Sequence, residues 1–225
     1  SHKLDEVLRV SHRIAVLRGG RLVGVLPAQG ADKPLLAEAM VGRRVAPAVK
    51  QAHEAGAVVA QLQGVTLRGH GPRPLLADVD LQLRAGQVLA VAGVAGNGQQ
   101  ALAELLCGEH APDAGTIQID GKALPAQPRA WVQAGVARIP EDRHAVGVVG
   151  DLPLWENALL ERYVDAPFSR AGLIDRRRSR EHAATLVQRF DVRGTEGAGL
   201  DTPARSLSGG NMQKLILGRA LMGSV

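Results

Sequence analysis

The sequence predicts an α/β fold, and three features of the 225-residue chain lead to this prediction. Several segments alternate apolar and polar residues as strands do, and one further segment, Val88–Ala92, is a continuous apolar run. This run leads through a glycine-rich turn directly into a helical pattern. Apolar residues make up 45% of the chain, which is enough for a packed core. Strand–loop–helix units of this kind are typical of α/β proteins.

The first 57 residues contain the elements of a small unit. Residues 1–12 carry apolar side chains at helical spacing, and residues 13–26 have the pattern of a β-hairpin around a Gly-Gly turn. Residues 34–40 predict a short helix with proline in its first turn. Residues 46–57 are rich in alanine and have no clear period, which predicts a linker.

The remaining residues contain the elements of a larger unit. Its predicted strands are 58–67, 75–84, Val88–Ala92, Thr116–Lys122 and Gly135–Ile139. Its predicted helices are 101–108, which follows the glycine-rich turn, Arg176–Phe190, which lies in a mostly helical segment over 153–206, and 215–222.

Composition excludes several classes of function. Aromatic residues are only 2% of the chain, which argues against a nucleic-acid binder that stacks bases on aromatic side chains. Cys107 is the single cysteine, so an intramolecular disulfide and a cysteine-rich zinc site are excluded, and the acidic residues have no metal-binding spacing. No apolar run reaches the ~18 residues of a membrane span, and no signal-peptide pattern is present. The net charge of +5 fits a phosphate partner, an anionic lipid or a solvated surface.

The glycine-rich turn is Gly93-Val94-Ala95-Gly96-Asn97-Gly98-Gln99-Gln100. It follows a predicted strand and opens a helix, as a phosphate-binding loop does, because glycines let backbone N–H groups approach a phosphate closely. The usual pattern is G-x-x-x-x-G-K-[ST]. Here Gln99 replaces the lysine that contacts the phosphates, and Gln100 replaces the hydroxyl residue that binds magnesium. A tight turn that binds nothing is therefore the alternative for this segment.

A second turn suited to anions is Leu207-Ser208-Gly209-Gly210-Asn211-Met212-Gln213-Lys214. Ser208 precedes two glycines and a helix, so its hydroxyl either caps the helix or donates to a phosphate. A capped helix start without a ligand is the alternative. The phosphate role is favoured because the turn lies downstream of the phosphate-loop-like segment, with a helical segment between them.

Together these motifs resemble the nucleotide-binding domain of ABC transporter ATPases. The LSGGN segment from Leu207 resembles the signature motif of that family. Pro140-Glu141-Asp142-Arg143, followed by Gly147, resembles the Q-loop region of the tandem ATPases of bacterial sugar and nucleoside importers, with Glu141 at the position of the Q-loop glutamine. The glycine-rich turn is more similar to the second domain of the nucleoside-importer subgroup. His2 resembles the switch histidine, which in this family contacts the γ-phosphate.

The resemblance implies a set of site residues, with His2 as the catalytic residue. The implied nucleotide-binding residues are Gly93, Gly96, Asn97, Gly98, Gln99, Gln100, Glu141, Ser208, Gly209, Gly210 and Gln213. The family stacks an aromatic side chain on adenine, but no aromatic residue lies between positions 58 and 98. We expect Val65 or Leu67 to take that place.

The order of the motifs implies pieces of two domains. The histidine comes first and the signature last, whereas one domain of this family runs from phosphate loop through Q-loop, signature and Walker B to histidine. We therefore expect residues 1–45 to be the C-terminal piece of a first ABC ATPase domain, 46–57 a linker, and 58–225 the N-terminal part of a second, with its helical subdomain at about 151–206. A circular permutation is the alternative. Walker B and its glutamate are expected outside this chain, so we expect the chain alone to be inactive.

The implied fold is the P-loop NTPase-like α/β fold of an ABC nucleotide-binding domain, incomplete here, with an antiparallel β subdomain and a helical subdomain. The implied function is that of the subunit that binds and hydrolyses ATP to drive an importer for a sugar or nucleoside. Such subunits use ATP and Mg²⁺, pair their ATPase domains head to tail, and lie peripherally on the cytoplasmic face of the plasma membrane. Their partners are integral permease subunits and, indirectly, a periplasmic or lipoprotein substrate-binding protein; no nucleic acid is implied.

The altered phosphate loop implies one impaired nucleotide site beside one competent site. Two alternatives stay open. One is a non-hydrolytic regulatory or relic ABC module, which the two glutamines favour. The other is a soluble ABC protein of DNA repair or translation, against which the scarce aromatic residues and the importer-like segments argue.

Overall fold

A computed structural model describes residues 3–44 and 54–223 of the chain, in two compact units, Ser1–His53 and Glu54–Val225. His2 and most of the predicted linker lie outside the described residues. In the described part no helix is long and apolar enough to cross a bilayer.

The first unit packs two helices on a β-hairpin, as the sequence predicted. Its elements are α1 (Leu4–Val10), β1 (Arg13–Arg18), β2 (Arg21–Pro27) and α2 (Lys33–Val41), and β1 pairs antiparallel with β2. Ile14, Val16 and Leu36 form the buried centre of this unit. Helix α2 begins because Asp32 accepts a hydrogen bond from the Leu35 N–H at 2.8 Å, and it ends at Gly42, which has a left-handed φ of 84°.

The second unit begins with an antiparallel sheet. Its strands are β3 (Val58–Arg68), β4 (Pro74–Arg84), β5 (Ala114–Ile119) and β6 (Lys122–Ala123), in the spatial order β4-β3-β5-β6. The predicted strand Thr116–Lys122 is interrupted after Ile119, because Asp120 and Gly121 have positive φ angles and form a turn before β6. The sheet shares its apolar core with α3 (Gln99–Leu105) and α4 (Pro128–Gln133). The core residues are Ala60, Leu62, Val65, Leu67, Leu76, Ala101, Leu102, Leu105, Ile117, Ile119 and Trp131.

Residues 154–222 form a second core that is built mainly from helices. Its elements are α5 (Leu154–Asn157), a short hairpin of β7 (Ser169–Arg170) and β8 (Leu173–Ile174), α6 (Arg176–Arg189) and α7 (Gly209–Met222). The buried side chains of this core include Leu154, Leu159, Leu186, Met212, Leu215 and Ile216. The predicted mostly helical segment over 153–206 is only partly helical, because α5 is short and the hairpin and irregular turns occupy the rest of the segment outside α6.

Two predicted strands are wrong. Val88–Ala92 and Gly135–Ile139 have extended or irregular backbone without strand pairing. Val88 is 96% and Ile139 50% exposed, whereas Val136 is partly buried against the sheet core. An apolar run becomes a strand only when neighbouring strands supply partners for its N–H and C=O groups. No described strand pairs with either segment. The residues of both segments are apolar, but they do not form strands.

Replacing Asp175 by alanine is expected to lower the free energy of unfolding by about 1 kcal/mol. Its carboxylate caps α6 by accepting a hydrogen bond from the Arg178 N–H at 3.0 Å. Denaturant titration of the protein measures the loss. Arg177→Ala is the matched control on the same helix, because it removes only an exposed ion pair with Glu181. Equal losses for the two variants would contradict the capping role.

Candidate functional site

The glycine-rich turn forms a compact loop that leads into α3. Gly96 and Gly98 have left-handed φ angles of 87° and 94°, and the Asn97 N–H donates to the Val94 carbonyl at 3.2 Å. A Cβ atom on Gly98 would lie 2.5 Å from the Leu75 carbonyl oxygen, so only glycine fits where the loop meets β4. The loop therefore has the tight backbone that a phosphate cradle requires.

The two glutamines that replace lysine and serine or threonine both point back onto the protein. Gln99 Nε2 donates to the Val94 carbonyl at 3.1 Å, so its amide folds over the loop beside Gly93. Gln100 Nε2 donates to Glu104 Oε1 at 2.7 Å along α3. Neither side chain supplies a positive charge or a hydroxyl, so phosphate contacts at this loop depend on its backbone N–H groups.

The segment after Ile139 turns sharply at Asp142. The Asp142 carboxylate accepts hydrogen bonds from the N–H groups of His144 at 3.0 Å and Ala145 at 2.9 Å, and caps a wide π-type turn over Arg143–Gly147. The Ala145 hydrogen bond is the main cause that lowers the pKa of this exposed carboxyl. Glu141, directly before it, is exposed to solvent.

The loop and this segment face each other across one cavity. The cavity has a volume of about 850 Å³ and is lined by Gln99, Gln100, Ala103 and residues 138–144 and 146. Glu141 and the start of α3 thus share a space large enough for a nucleotide. The structure brings Gln99, Gln100 and Glu141 to one cavity, whereas its lining includes neither the glycines of the turn nor any residue of the signature turn.

The signature turn is a capped start of α7. Ser208 is the N-cap, its side chain is exposed, and its Oγ accepts from the Asn211 Nδ2 at 2.9 Å and from the Asn211 backbone N at 3.5 Å. Around Gly210 nothing lies within 4 Å of a Cβ position, so the turn is open on that side. Gln213, one turn further, is also exposed.

Two arginines attach the 140–147 segment to α7. Arg143 Nη1 donates to the Gly209 carbonyl at 3.0 Å and to Gln213 Oε1 at 3.4 Å. Arg219, which is only 6% exposed, donates through Nη2 to the Gly147 carbonyl at 2.9 Å. Burial lowers the pKa of its guanidinium. The segment that lines the cavity is therefore fixed to the helix that carries the signature turn.

The motifs were visible in the sequence, but several of the side-chain contacts within the site were not. Arg143 lies in the Pro140–Arg143 motif, yet nothing in the pattern indicated that its side chain reaches Gly209. The expectation that Val65 or Leu67 contacts adenine is wrong, because both side chains are buried in the sheet core, Val65 completely. Their alternation in β3 was the signal that places them inward.

The described residues fit a magnesium ion poorly at this loop. Magnesium prefers several hard oxygen ligands, and the loop offers the Gln100 amide where a hydroxyl is usual. Within the described ranges no group of three or more His, Cys, Asp or Glu side chains is placed to hold a metal ion. The chemistry that this arrangement supports is binding of phosphate by backbone N–H groups.

Comparisons with known proteins agree with these motifs. The family model for ABC transporters matches residues 76–225. The glucose import ATP-binding protein TsgD13 of Haloferax volcanii is 40% identical over 223 residues, which is 98% of this chain and 40% of that protein. The guanosine import ATP-binding protein NupO of Bacillus subtilis is 36% identical over 214 residues, 94% of this chain and 41% of that protein. The chain thus spans about two fifths of the length of these curated relatives.

Solved structures show the same fold. A nucleotide-free ATP-binding cassette from an ABC transporter has a TM-score of 0.56 at 19% identity, covering 74% of this chain and 66% of that one. A dimeric cassette in a post-hydrolysis state with ADP and Pi also has a TM-score of 0.56 at 19% identity, covering 73% of this chain and 69% of that one. The predicted α/β fold class is confirmed by these likenesses.

Proposed function

Since this chain belongs to the ABC transporter family, we propose that it is part of the subunit that binds and hydrolyses ATP to drive an importer for a sugar or a nucleoside. The single observation that carries the proposal is the cavity that the glycine-rich loop shares with the Glu141 segment. Gln99 and Gln100, at the end of the glycine-rich turn, line the cavity on one side and Glu141 lines it on the other. The relatives named above are import ATP-binding proteins.

Residues 1–45 and 58–225 are proposed to belong to successive ATPase domains that pair head to tail. In that arrangement Ser208, Gly209 and Gly210 face the phosphate loop of the other domain. His2, which lies outside the described residues, serves that same composite site. Gly93, Gly96, Asn97, Gly98, Gln99, Gln100 and Glu141 belong to the opposite composite site. Gln213, which is exposed on α7, is proposed as a further nucleotide-binding residue.

The two composite sites are proposed to be unequal. At the Gln99 site glutamine replaces the lysine that faces the β- and γ-phosphates in the usual pattern, and the Gln99 amide already bonds to the loop. At the Ser208 site the signature turn is complete and its hydroxyl is exposed. Magnesium belongs with the competent site, where the phosphate loop of the other domain would supply its ligands. We therefore assign turnover to the site that Ser208 completes.

The chain's own residues act in this cycle by holding the two domains together. Backbone N–H groups of the glycine-rich loop and of the Ser208 turn each donate to a nucleotide phosphate, so a bound triphosphate joins the domains. When the γ-phosphate leaves, Ser208 loses its acceptor and the interface reopens. Arg143 and Arg219 carry that displacement from α7 to the Glu141 segment, because they bond to both.

The proposed partners are integral permease subunits and, through them, a periplasmic or lipoprotein substrate-binding protein. The proposed location is the cytoplasmic face of the plasma membrane. A second candidate function, a non-hydrolytic regulatory module, is favoured by one observation, the Gln99 amide folded over the phosphate loop. The first candidate predicts steady ATP turnover by the complete protein, and the second predicts none.

Ser208→Ala in the complete protein, assembled with its membrane partners, is expected to lower ATP turnover by about tenfold, since a hydrogen bond to a charged phosphate oxygen is lost. Phosphate release at saturating ATP measures the change. Ser206→Ala is the matched control, because the Ser206 hydroxyl only bonds to the Pro203 carbonyl at 2.7 Å in the preceding turn. Unchanged turnover in Ser208→Ala would contradict the assigned site, and absence of turnover in the unmodified protein would favour the regulatory module.

A further inference from the structure

The hydroxyl of Ser208 receives hydrogen bonds from a neighbour on its own helix. Asn211 Nδ2 lies 2.9 Å from Ser208 Oγ, and the Asn211 backbone N lies 3.5 Å from the same atom. Both of these nitrogens are donors, whereas a serine hydroxyl has two acceptor positions and one proton. When N–H groups occupy the acceptor positions, the proton of Ser208 is left to point to the exposed side of the turn.

The orientation of the Asn211 amide is fixed by a backbone group. Asn211 Oδ1 lies 3.0 Å from the backbone N–H of Arg193, in the chain segment between α6 and α7. A backbone N–H only donates, so the carbonyl oxygen of the amide must face Arg193. The NH₂ group must then face Ser208. The direction of the hydrogen bond between Asn211 and Ser208 follows from this contact.

The turn that presents the Arg193 N–H is itself tied to α7. Lys214 Nζ donates to the Asp191 carbonyl at 2.7 Å and to its carboxylate at 3.0 Å, and Arg193 Nε donates to the other carboxylate oxygen at 2.9 Å. The hydrogen bonds from Arg193 and then Lys214 lower the pKa of Asp191 to about 2, so the carboxylate is charged at neutral pH. Lys214, Asp191, Arg193, Asn211 and the backbone of α7 thus form a closed ring.

We propose that Asn211 is a positioning residue that holds the Ser208 hydroxyl as a hydrogen-bond donor toward a nucleotide phosphate. The inference rests on the proposed function, in which Ser208 faces a phosphate. A phosphate oxygen only accepts hydrogen bonds. If the Ser208 proton were donated to another group, the lone pairs of the hydroxyl would face those of the phosphate oxygen, and the two oxygens would repel each other. The amide of Asn211 prevents this, because it cannot accept the proton of Ser208 while its oxygen bonds to Arg193.

Asn211→Asp tests this polarity with almost no change of shape. One carboxylate oxygen keeps the hydrogen bond from Arg193 N–H, and the other now accepts the Ser208 proton. We expect a fall in ATP turnover on the order of tenfold, as for loss of one hydrogen bond to a charged group. We also expect weaker binding of ATP with unchanged binding of ADP, since Ser208 is assigned to the γ-phosphate. If the role of Asn211 were purely structural, Asn211→Asp would weaken the binding of both ATP and ADP.

The new negative charge of the aspartate is separated from the polarity effect by a double-mutant cycle. Phosphate release is measured for the complete protein as unmodified, Ser208→Ala, Asn211→Asp and the double variant. If Asn211 acts through the Ser208 hydroxyl, Asn211→Asp lowers ATP turnover much less in the Ser208→Ala background than in the unmodified protein. An equal loss of ATP turnover in both backgrounds would overturn the proposal and would show that the aspartate acts directly through its charge. If Ser208→Ala alone changes nothing, the proposed function fails at this site, and the role of Asn211 is overturned with it.

A second variant keeps the test independent of any folding defect at position 211. Lys214→Met removes both hydrogen bonds to Asp191 and leaves Asn211 and Ser208 intact. We expect a loss of a fewfold in turnover that disappears in the Ser208→Ala background, with a melting temperature close to that of the unmodified protein. A loss that persists in that background would overturn the proposed ring.

Discussion

Asn157→Ala is expected to lower the free energy of unfolding by about 1–3 kcal/mol, because the Val149 N–H would lose its acceptor. The carbonyls of Val149, Leu152 and Pro153 would each lose one of two hydrogen bonds, since each also accepts from a backbone N–H. Asn157 is fully buried. Its Oδ1 accepts from the Val149 N–H at 2.9 Å. Its Nδ2 donates to the carbonyls of Val149 and Leu152 at 3.0 Å each and of Pro153 at 3.2 Å. One amide thus holds the chain reversal that joins the Glu141 segment to α5.

Chemical denaturation of the complete protein measures this loss, followed by a signal from the unit that contains Trp131 and Trp155. Gln188→Ala is the matched control, since Gln188 is an exposed amide on α6 and its loss is expected within about 0.5 kcal/mol. If Asn157→Ala lowered the free energy of unfolding as little as Gln188→Ala, other contacts would hold the chain reversal.

Asn157→Asp adds a pH signature to the same prediction. The substitution places a carboxylate oxygen against three carbonyl oxygens, so burial and repulsion raise the pKa of the new group in the folded protein above its unfolded value of about 3.9. A raised folded pKa means that folding is least disturbed below pH 4, where the acid is protonated, and that stability falls as pH rises through the folded pKa. Asn157→Ala has no such pH dependence, which separates the two variants.

Gln99→Lys combined with Gln100→Ser is expected to tighten nucleotide binding at the site that we propose is impaired by about ten- to a hundredfold, which corresponds to one hydrogen bond to a charged phosphate. Lysine restores a cation beside the β- and γ-phosphates and removes the amide that now bonds to the Val94 carbonyl. Serine restores a hydroxyl ligand for magnesium. Equilibrium binding of a labelled ATP analogue to the complete protein measures the affinity and the number of sites.

The unmodified protein is expected to bind one nucleotide tightly, and the double variant two. Gln188→Lys is the matched control, because it adds the same charge on an exposed face of α6 away from the cavity. Two equal tight sites in the unmodified protein would contradict the proposed asymmetry. Unchanged binding in the double variant would show that the loop backbone, and not Gln99, limits affinity.

The sequence by itself determined the local elements and the family. Helical spacing of apolar residues predicted α1, whose Leu4, Val7 and Leu8 pack partly buried against the core of the first unit. Helices were also predicted at the places of α2, α6 and α7. Alternation predicted β3 and β4, where every second residue packs into the sheet core. The glycine-rich turn and the LSGGN segment were visible because special backbone angles and phosphate contact restrict residue types.

The tertiary structure alone decided the pairing of strands outside the predicted hairpin and the contacts between distant side chains. Apolar runs at Val88–Ala92 and Gly135–Ile139 cannot reveal whether neighbouring strands exist, so their assignment as strands was wrong. No local pattern joins Arg143 to Gly209 or Asn211 to Arg193, because these partners are brought together across long stretches of chain. Hydrogen bonds between residues far apart in the sequence depend on the path of the folded backbone, and local sequence patterns do not predict that path.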